Sequence, residues 1–515
     1  MKQKLKWDEI IGILFFLVSI GMLGISVYFC FGSDIWYDEL FTLGLADQSL
    51  SDLVSITARD VHPPFYYLIV KLFLTGTGES DLARRVAAAK LVSCLPFFIC
   101  ILFSMNRIRK NFGLLTAGLF SFLLISMPQM ADYTVEIRMY GFALLFITVG
   151  MVSAYELMDK QTLGRWTMLT VSALLACYTH YFACVAACLI YLYLLIGMWR
   201  RKKQNNMLKP YLASGIMCAV CYLPWFLLVV TKQVGRVREN YWIQPVSWRT
   251  LGGCVKFIFK PSFTNEKLNA VLAAVFFFIY AAVLLTVIFT WIKKKKENSQ
   301  SAAFAIGCIG ILAGLVFFGM AASIVMKPIF VYRYMLPAMG VFWLAFAILL
   351  SGFKERKAVL IPVLLFLVII GIRNFRSFYG EEMWKKLQME TALNELEQIG
   401  SDDIIIYNFD QLQAVASYYL ENDTYLWYGN TEELIREMFP RNHALVEGEF
   451  SDEAGIARMK ELMHEGKTVW FLGSGNAREE ILKKWEQEGI CGEEKASVMI
   501  ERYWFNFYHL NFESE

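Results

Sequence analysis

Apolar runs long enough to cross a bilayer recur along most of this chain, and no other feature narrows its fold as far. A helix needs about 20 apolar residues to span the hydrocarbon core. Runs of that kind fall near residues 10–32, 86–105, 112–127, 138–157, 166–180, 181–198, 210–231, 268–292, 302–325, 334–351 and 358–372, the third, fifth and last being short. The expectation is a polytopic α-helical membrane protein with about 11 transmembrane helices. Composition agrees, since 57% of residues are hydrophobic and only 18% charged, with a mean hydropathy of +0.44, far from soluble averages. The net charge of +3 is no nucleic-acid signature, because the basic residues gather where topology requires them. Membrane lipids, not nucleic acid, are the expected surroundings.

Orientation follows from where those basic residues sit. Lys2, Lys4 and Lys6 precede the first run, and Arg107, Arg109 and Lys110, then Lys160 and Arg165, then Arg200 through Lys203, Lys293 through Lys296, and Lys354, Arg356 and Lys357 occupy every second connection. This assigns the N-terminus to the cytoplasm of a multi-pass cell-membrane protein. It assigns the long loop 33–85 and everything after 372 to the outer face. The first run has a basic start and a long apolar core with no clear small-x-small cleavage site, so it reads as an uncleaved anchor. Most of the eleven cysteines fall inside apolar runs, where a thiol acts as a small apolar side chain. No disulfide framework or zinc spacing is visible.

The membrane part is expected to occupy 1–372. Beyond Ile372 the composition turns globular, with strand-like runs at 403–409, 424–428, 467–472 and 496–508 alternating with helical patterns at 382–399, 411–420, 431–439, 452–464 and 476–488. This predicts an extracytoplasmic α/β domain over 373–515. Gly473-Ser474-Gly475-Asn476 follows a strand and precedes a helix but lacks the full dinucleotide fingerprint, and reads as a turn with a helix cap. Outside the membrane, loop 33–85 carries amphipathic stretches, Leu40 to Leu53 and Phe65 to Leu74, suited to a membrane surface. Loop 232–266 carries Arg236, Arg238, Tyr241 and Trp242.

Chemistry-bearing residues gather at outer boundaries. Asp38 and Glu39 stand together just beyond the first run, flanked by Trp36 and Tyr37. A carboxylate at a partly desolvated surface suits a general base, and its neighbour suits orienting an acceptor or holding a divalent cation. His62-Pro63-Pro64 holds an imidazole on a stiff extended segment, although the same residues also make an ordinary turn onto an interfacial helix. Tyr133-Thr134-Val135-Glu136-Ile137-Arg138-Met139-Tyr140 opens one span, and Tyr332-Arg333-Tyr334 with Pro337 opens another. Each sets a guanidinium at the boundary, where it can fork onto phosphate oxygens or simply anchor at the headgroups. Tyr178-Thr179-His180-Tyr181 joins two spans and reads either as cavity lining or as a satisfied interfacial histidine.

In this order and with this shared sidedness, the motifs resemble those of the GT-C membrane glycosyltransferases that use polyprenyl-phosphate sugars. The bacterial branch related to protein O-mannosyltransferases and to the lipid A aminoarabinose transferase is the closest comparison, over about residues 8–350. The resemblance implies inverting transfer of a sugar from a polyprenyl-phosphate donor to an envelope glycan, lipid or protein acceptor on the outer face. It implies Asp38 as general base with Glu39 beside it, and the pair as the candidate seat of any divalent cation. His62, Glu136, Arg138, Tyr140, His180, Arg333 and Tyr334 would face the donor and its phosphate. The chain lacks the β-trefoil repeats of eukaryotic mannosyltransferases, and its span count looks lower than in the aminoarabinose transferase.

Two other classes compete. A transporter or flippase of lipid-linked sugars would place ionisable groups near the membrane midplane, where these runs carry little besides Lys90. An assembly protein would account for the C-terminal domain but not for the polar clusters. The domain is expected either to present or select the acceptor, so that deleting 375–515 alters acceptor choice more than donor hydrolysis, or to serve only as a stabilising cap.

Overall fold

The computed structural model describes residues 6–77, 81–200, 205–236, 243–294, 299–500 and 502–512. Lys2, Lys4, Arg201, Lys202, Lys203, Lys295, Lys296, Arg238, Tyr241 and Trp242 lie outside the described residues. Two compact units divide the chain, one formed by Met1–Cys30, Thr57–Ile69 and Lys90–Tyr379, the other by Phe31–Ile56, Val70–Ala89 and Gly380–Glu515.

Among the described residues, nine helices are long and apolar enough to cross a membrane: Trp7–Phe29, Leu82–Phe112, Tyr140–Asp159, Tyr181–Arg200, Leu208–Gln233, Glu266–Thr290, Gln300–Val325, Tyr332–Ser351 and Lys357–Leu396. The protein is thus a multi-pass membrane protein. The other two expected spans exist as shorter helices. Leu114–Ser126 has 13 residues and starts behind Gly113 at φ 91°, a left-handed conformation that side chains with a Cβ resist. Leu163–Thr179 has 17 residues, begins where Thr162 accepts the Arg165 N–H, and stops at extended His180. The expected count of eleven therefore becomes nine helices of spanning length and two short ones.

Within the first unit, the Tyr140–Asp159 and Tyr332–Ser351 helices are the most enclosed, each 89% buried over its most apolar stretch against 17% for Leu208–Gln233. Lipid-facing helices leave their surface for the bilayer, and central ones bury it against protein. Close backbone approach also builds this unit. A Cβ on Gly12 would lie 2.5 Å from the Leu114 carbonyl oxygen, and one on Gly118 would collide with the Gly12 carbonyl, the small-residue packing typical of membrane helices. Near the C-terminal end of Tyr140–Asp159, buried Glu156 receives Arg107 at 3.3 Å, Arg165 at 3.4 Å and the Asn111 amide at 2.8 Å. Two of the basic residues that define the expected inner face thus converge on one carboxylate. Arg138 lies just before the other end of the same helix, about 25 Å away at helical rise.

The second unit holds a six-stranded sheet of order β3-β2-β1-β4-β6-β5, where β1 is Ile404–Tyr407, β2 Asp423–Leu426, β3 Asn442–Ala444, β4 Val469–Ser474, β5 Ile490–Ile500 and β6 Tyr503–Phe512. β3, β2, β1 and β4 run parallel, and β6 and β5 complete the sheet antiparallel. β1 is buried at all four positions and β4 at five of six, as expected for parallel strands covered on both faces. Trp427, Trp485, Phe471, Met459, Ile406 and Tyr508 form the core.

Three details depart from the sequence reading. The single run expected at 496–508 is two strands paired from Ile490↔Phe512 to Ile500↔Tyr503. β3 was not foreseen. The helix expected at 382–399 is the distal part of a continuous Lys357–Leu396 helix of 40 residues. Gly475, at φ 65°, makes the expected turn after β4, but the Asn476 side chain accepts no N–H from the first turn of the helix Ala477–Gln487. Asn408 stitches that turn to the end of β1, donating to the Ser474 carbonyl at 2.8 Å and accepting the Ser474 N–H at 2.9 Å.

Candidate functional site

In the first unit, four of the sequence-derived residues form a ring cluster. His180 lies at its centre, in the turn between the Leu163–Thr179 and Tyr181–Arg200 helices. Its imidazole centroid is 5.7 Å from His62, 5.5 Å from Tyr140 and 5.0 Å from Tyr334. Tyr133 meets Tyr140 edge-on at 5.4 Å, and Phe182 packs against Tyr334 at 4.9 Å. The Met127–Met139 segment stays out of regular helix except for one short turn, because Gln129 takes a positive φ of 67° and Arg138 N–H folds back to the Glu136 carbonyl at 2.7 Å. That irregular backbone delivers Glu136, Arg138 and Tyr140 to the head of the most enclosed helix. Tyr332–Met335, a single 3-10 turn ahead of Pro337, delivers Arg333 and Tyr334 in the same way.

The protonation of His180 follows from geometry. Its Nδ1 accepts the Phe182 N–H at 3.1 Å, so the neutral ring carries its proton on Nε2. Burial, then the charges of His62, Arg138 and Arg333, hold its pKa well below the usual imidazole range. The ring is 2% exposed, Tyr140 is 1% exposed, and neither His180 Nε2 nor the Tyr140 hydroxyl has a hydrogen-bond partner among the described residues. Buried polar groups are seldom left without a partner, and the exceptions concentrate at functional sites. His62 is held from the other side by Asp60, 3.2 Å from its Nδ1. Arg138, 5% exposed, and Arg333 supply the positive charge that acts on both His180 and Tyr140. Glu136 acts on Tyr133 and Tyr140 with opposite sign, and burial first, then Glu136, raises the Tyr133 pKa.

Asp38 and Glu39 belong to the second unit, in the first turn of the Tyr37–Asp47 helix. Glu39 is 4% exposed, and its Oε2 accepts the Trp36 N–H at 3.0 Å, which closes the start of that helix. The helix packs on Asp410–Ala416 and Glu433–Met438. Tyr37 donates to Glu432 at 2.8 Å, Tyr419 donates to the Ser33 carbonyl at 2.6 Å, and Gly44 leaves room for the Phe439 ring. At the other end, Lys71 Nζ donates to the carbonyls of Ala46 at 3.0 Å and Gln48 at 2.6 Å, and buried Arg85 pairs with Asp47. Burial, then Glu432, pushes the Tyr37 pKa up, so its proton stays in place as a donor.

Among the described residues, no group of three or more His, Cys, Asp or Glu side chains is arranged to hold a metal ion. Glu39 Oε2 serves the helix start through the Trp36 N–H. The sequence reading overlooked Asp60, although its place two residues before His62 was open to inspection. It overlooked Glu432 because the partner lies 395 residues away from Tyr37.

The fold class is that of the GT-C membrane glycosyltransferases. The chain is similar over 98% of its length to the crystal structure of ArnT from Cupriavidus metallidurans bound to undecaprenyl phosphate, covering 98% of that chain at 13% identity with a TM-score of 0.57. A looser likeness joins it to the Archaeoglobus fulgidus oligosaccharyltransferase solved with Zn and sulfate, at 10% identity and a TM-score of 0.46, covering 88% of this chain and 68% of that one. No protein-family model matches the sequence. No curated protein matches it either.

Proposed function

We propose that the protein is an inverting glycosyltransferase that moves a sugar from a polyprenyl-phosphate donor to an acceptor of the cell envelope, on the outer face of the membrane. The observation that carries this reading is the buried Nε2–H of His180 beside the buried hydroxyl of Tyr140. Both lack a hydrogen-bond partner among the described residues and both lie under the charges of Arg138 and Arg333. Neutral donors beside guanidinium groups suit a ligand that is part sugar and part phosphate. The ArnT structure, similar over nearly the whole chain, was solved with undecaprenyl phosphate.

On this reading Asp38 accepts the proton of the acceptor hydroxyl as its oxygen attacks the anomeric carbon. The bond from that carbon to the phosphate oxygen breaks, and the lipid phosphate departs with the bonding electron pair. Arg138 and Arg333 neutralise the growing phosphate charge, while His180, Tyr140 and Tyr334 line the donor. His62, held by Asp60, and Glu136 orient it. A single displacement inverts the anomeric centre and needs no second carboxylate as nucleophile. Glu39 acts as a positioning residue through its bond to the Trp36 N–H.

The test is sugar transfer in membranes containing the full chain. Asp38→Asn should lower kcat by roughly 10²–10⁴-fold, the range for loss of a general base, with donor KM little changed. Full activity in that variant would reject the assignment. Net movement of the lipid-linked sugar across the bilayer with no covalent product would reject the transferase reading in favour of transport.

A further inference from the structure

In the first unit, apart from the ring cluster, lies a cavity of ≈690 Å³ lined by Gln129, Trp248, Arg249, Gly252, Gly253, Lys256, Phe257, Lys260 and Tyr332. Seven of these nine come from one helix, Trp248–Phe259, and the residue that ends it. Positions 249, 252, 253, 256, 257 and 260 recur at three- and four-residue spacing and therefore share one helical face. Cys254, Ile258 and Phe259 are buried on another face. Trp248 and Leu251, 79% and 50% exposed, give the same helix an apolar flank suited to the headgroup region. The cavity face thus carries three cations and two glycines, a pattern that core packing does not require.

Charge in the cavity is unbalanced. Lys260 pairs with Glu266 at 2.7 Å, and that one carboxylate also acts on Lys256 at longer range, whereas among the described residues Arg249 and Lys256 form no ion pair. Like charges collected on one wall repel each other and are relieved by an anion. The two glycines make the space. A Cβ on Gly253 would strike the Tyr332 hydroxyl, so its absence lets that ring close one side, while a Cβ on Gly252 meets nothing within 4 Å. Gln129, which also lines the cavity, is the only non-glycine residue with positive φ among those described. Such strain is kept where surrounding structure has a use for it.

We infer that this cavity seats the phosphate of an anionic membrane lipid, at a site separate from the ring cluster and its arginines. Arg249 and Lys256 meet the phosphate oxygens, the Tyr332 hydroxyl donates from the side, and Trp248 and Leu251 lie against the glycerol and upper acyl region. Tyr332 precedes Arg333 in one 3-10 turn, so one short element serves both sites. The inference stands on the cavity and does not depend on the transferase reading.

Native mass spectrometry of the detergent-solubilised full chain tests it, with phosphatidylglycerol, phosphatidylcholine and inorganic phosphate added in separate titrations. The expected result is a retained phosphatidylglycerol adduct, weaker by about tenfold or more in the double variant Arg249→Gln/Lys256→Gln, corresponding to about 1.4 kcal/mol. Gly252→Leu should weaken it equally by filling the cavity, and leucine's helix propensity favours retention of the fold. Arg333→Gln, outside the cavity, should keep the adduct. Equal retention of phosphatidylcholine, or unchanged phosphatidylglycerol occupancy in both cavity variants, would overturn the inference. Occupancy by inorganic phosphate with no lipid adduct would also overturn it, by marking a free-anion site.

Discussion

His180 illustrates how one buried side chain couples structure to pH. In the folded protein its pKa is depressed by burial and by the neighbouring cations, whereas in the unfolded chain it returns to about 6.5. Above that value both states hold a neutral ring, and the shift has no effect on stability. As pH falls below it, the unfolded chain takes up a proton that the folded protein refuses. Stability then drops, by at most about 1.4 kcal/mol per pH unit for one group. The loss continues until pH reaches the depressed folded value. His180→Gln removes this proton uptake, so melting temperatures of the variant should decline less than those of the wild type between pH 7 and pH 5. Parallel declines in a fluorescence melt would show that the ring titrates freely. The donor on Nε2 could not have been read from Tyr178-Thr179-His180-Tyr181, because it depends on the Phe182 N–H binding Nδ1.

At the level of elements, apolar length was legible and exact boundaries were not. The positions of the long spans follow directly from hydropathy, since a bilayer tolerates few alternatives. Hydropathy counts the two short helices as spans because composition alone does not reveal that Gly113 ends one helix and starts the next, or that His180 ends another. β3 escaped because Asn442-His443-Ala444 carries no strand pattern of its own and gains its place by pairing with β2. Helix crossing is equally invisible in sequence, since Gly12 and Gly118 become meaningful only once the backbones meet. Gly118→Val forces a Cβ into the Gly12 carbonyl and should cost about 1–3 kcal/mol or more, the usual range for overpacking. Gly24→Val, where a Cβ meets nothing within 4 Å, is the control. Equal thermal stability of the two variants in the same detergent would refute the close-packing account.

Across the whole molecule, the second unit joins pieces of chain that the sequence reading had separated. Residues 31–56 and 70–89 cluster with 380–515, and the helix bearing Asp38 is fastened there through Tyr37–Glu432, Tyr419–Ser33 and the packing of Gly44 on Phe439. Long-range partners of this kind leave no periodicity or spacing to read. They also give the α/β sheet the task of holding the acidic helix in place, because that helix rests on helices that the sheet supports. Trp485, fully buried against Trp427 at 5.0 Å and Phe471 at 4.8 Å, allows that task to be tested at a distance from the acid. Trp485→Ala should cost about 3–5 kcal/mol, loosen the sheet and free the Tyr37–Asp47 helix, seen as faster proteolysis within residues 31–56. Donor hydrolysis without acceptor and transfer to acceptor should then fall together. If proteolysis confirms the loosening while hydrolysis stays intact and only the product profile shifts, the domain selects acceptors and the support of the acidic helix lies elsewhere.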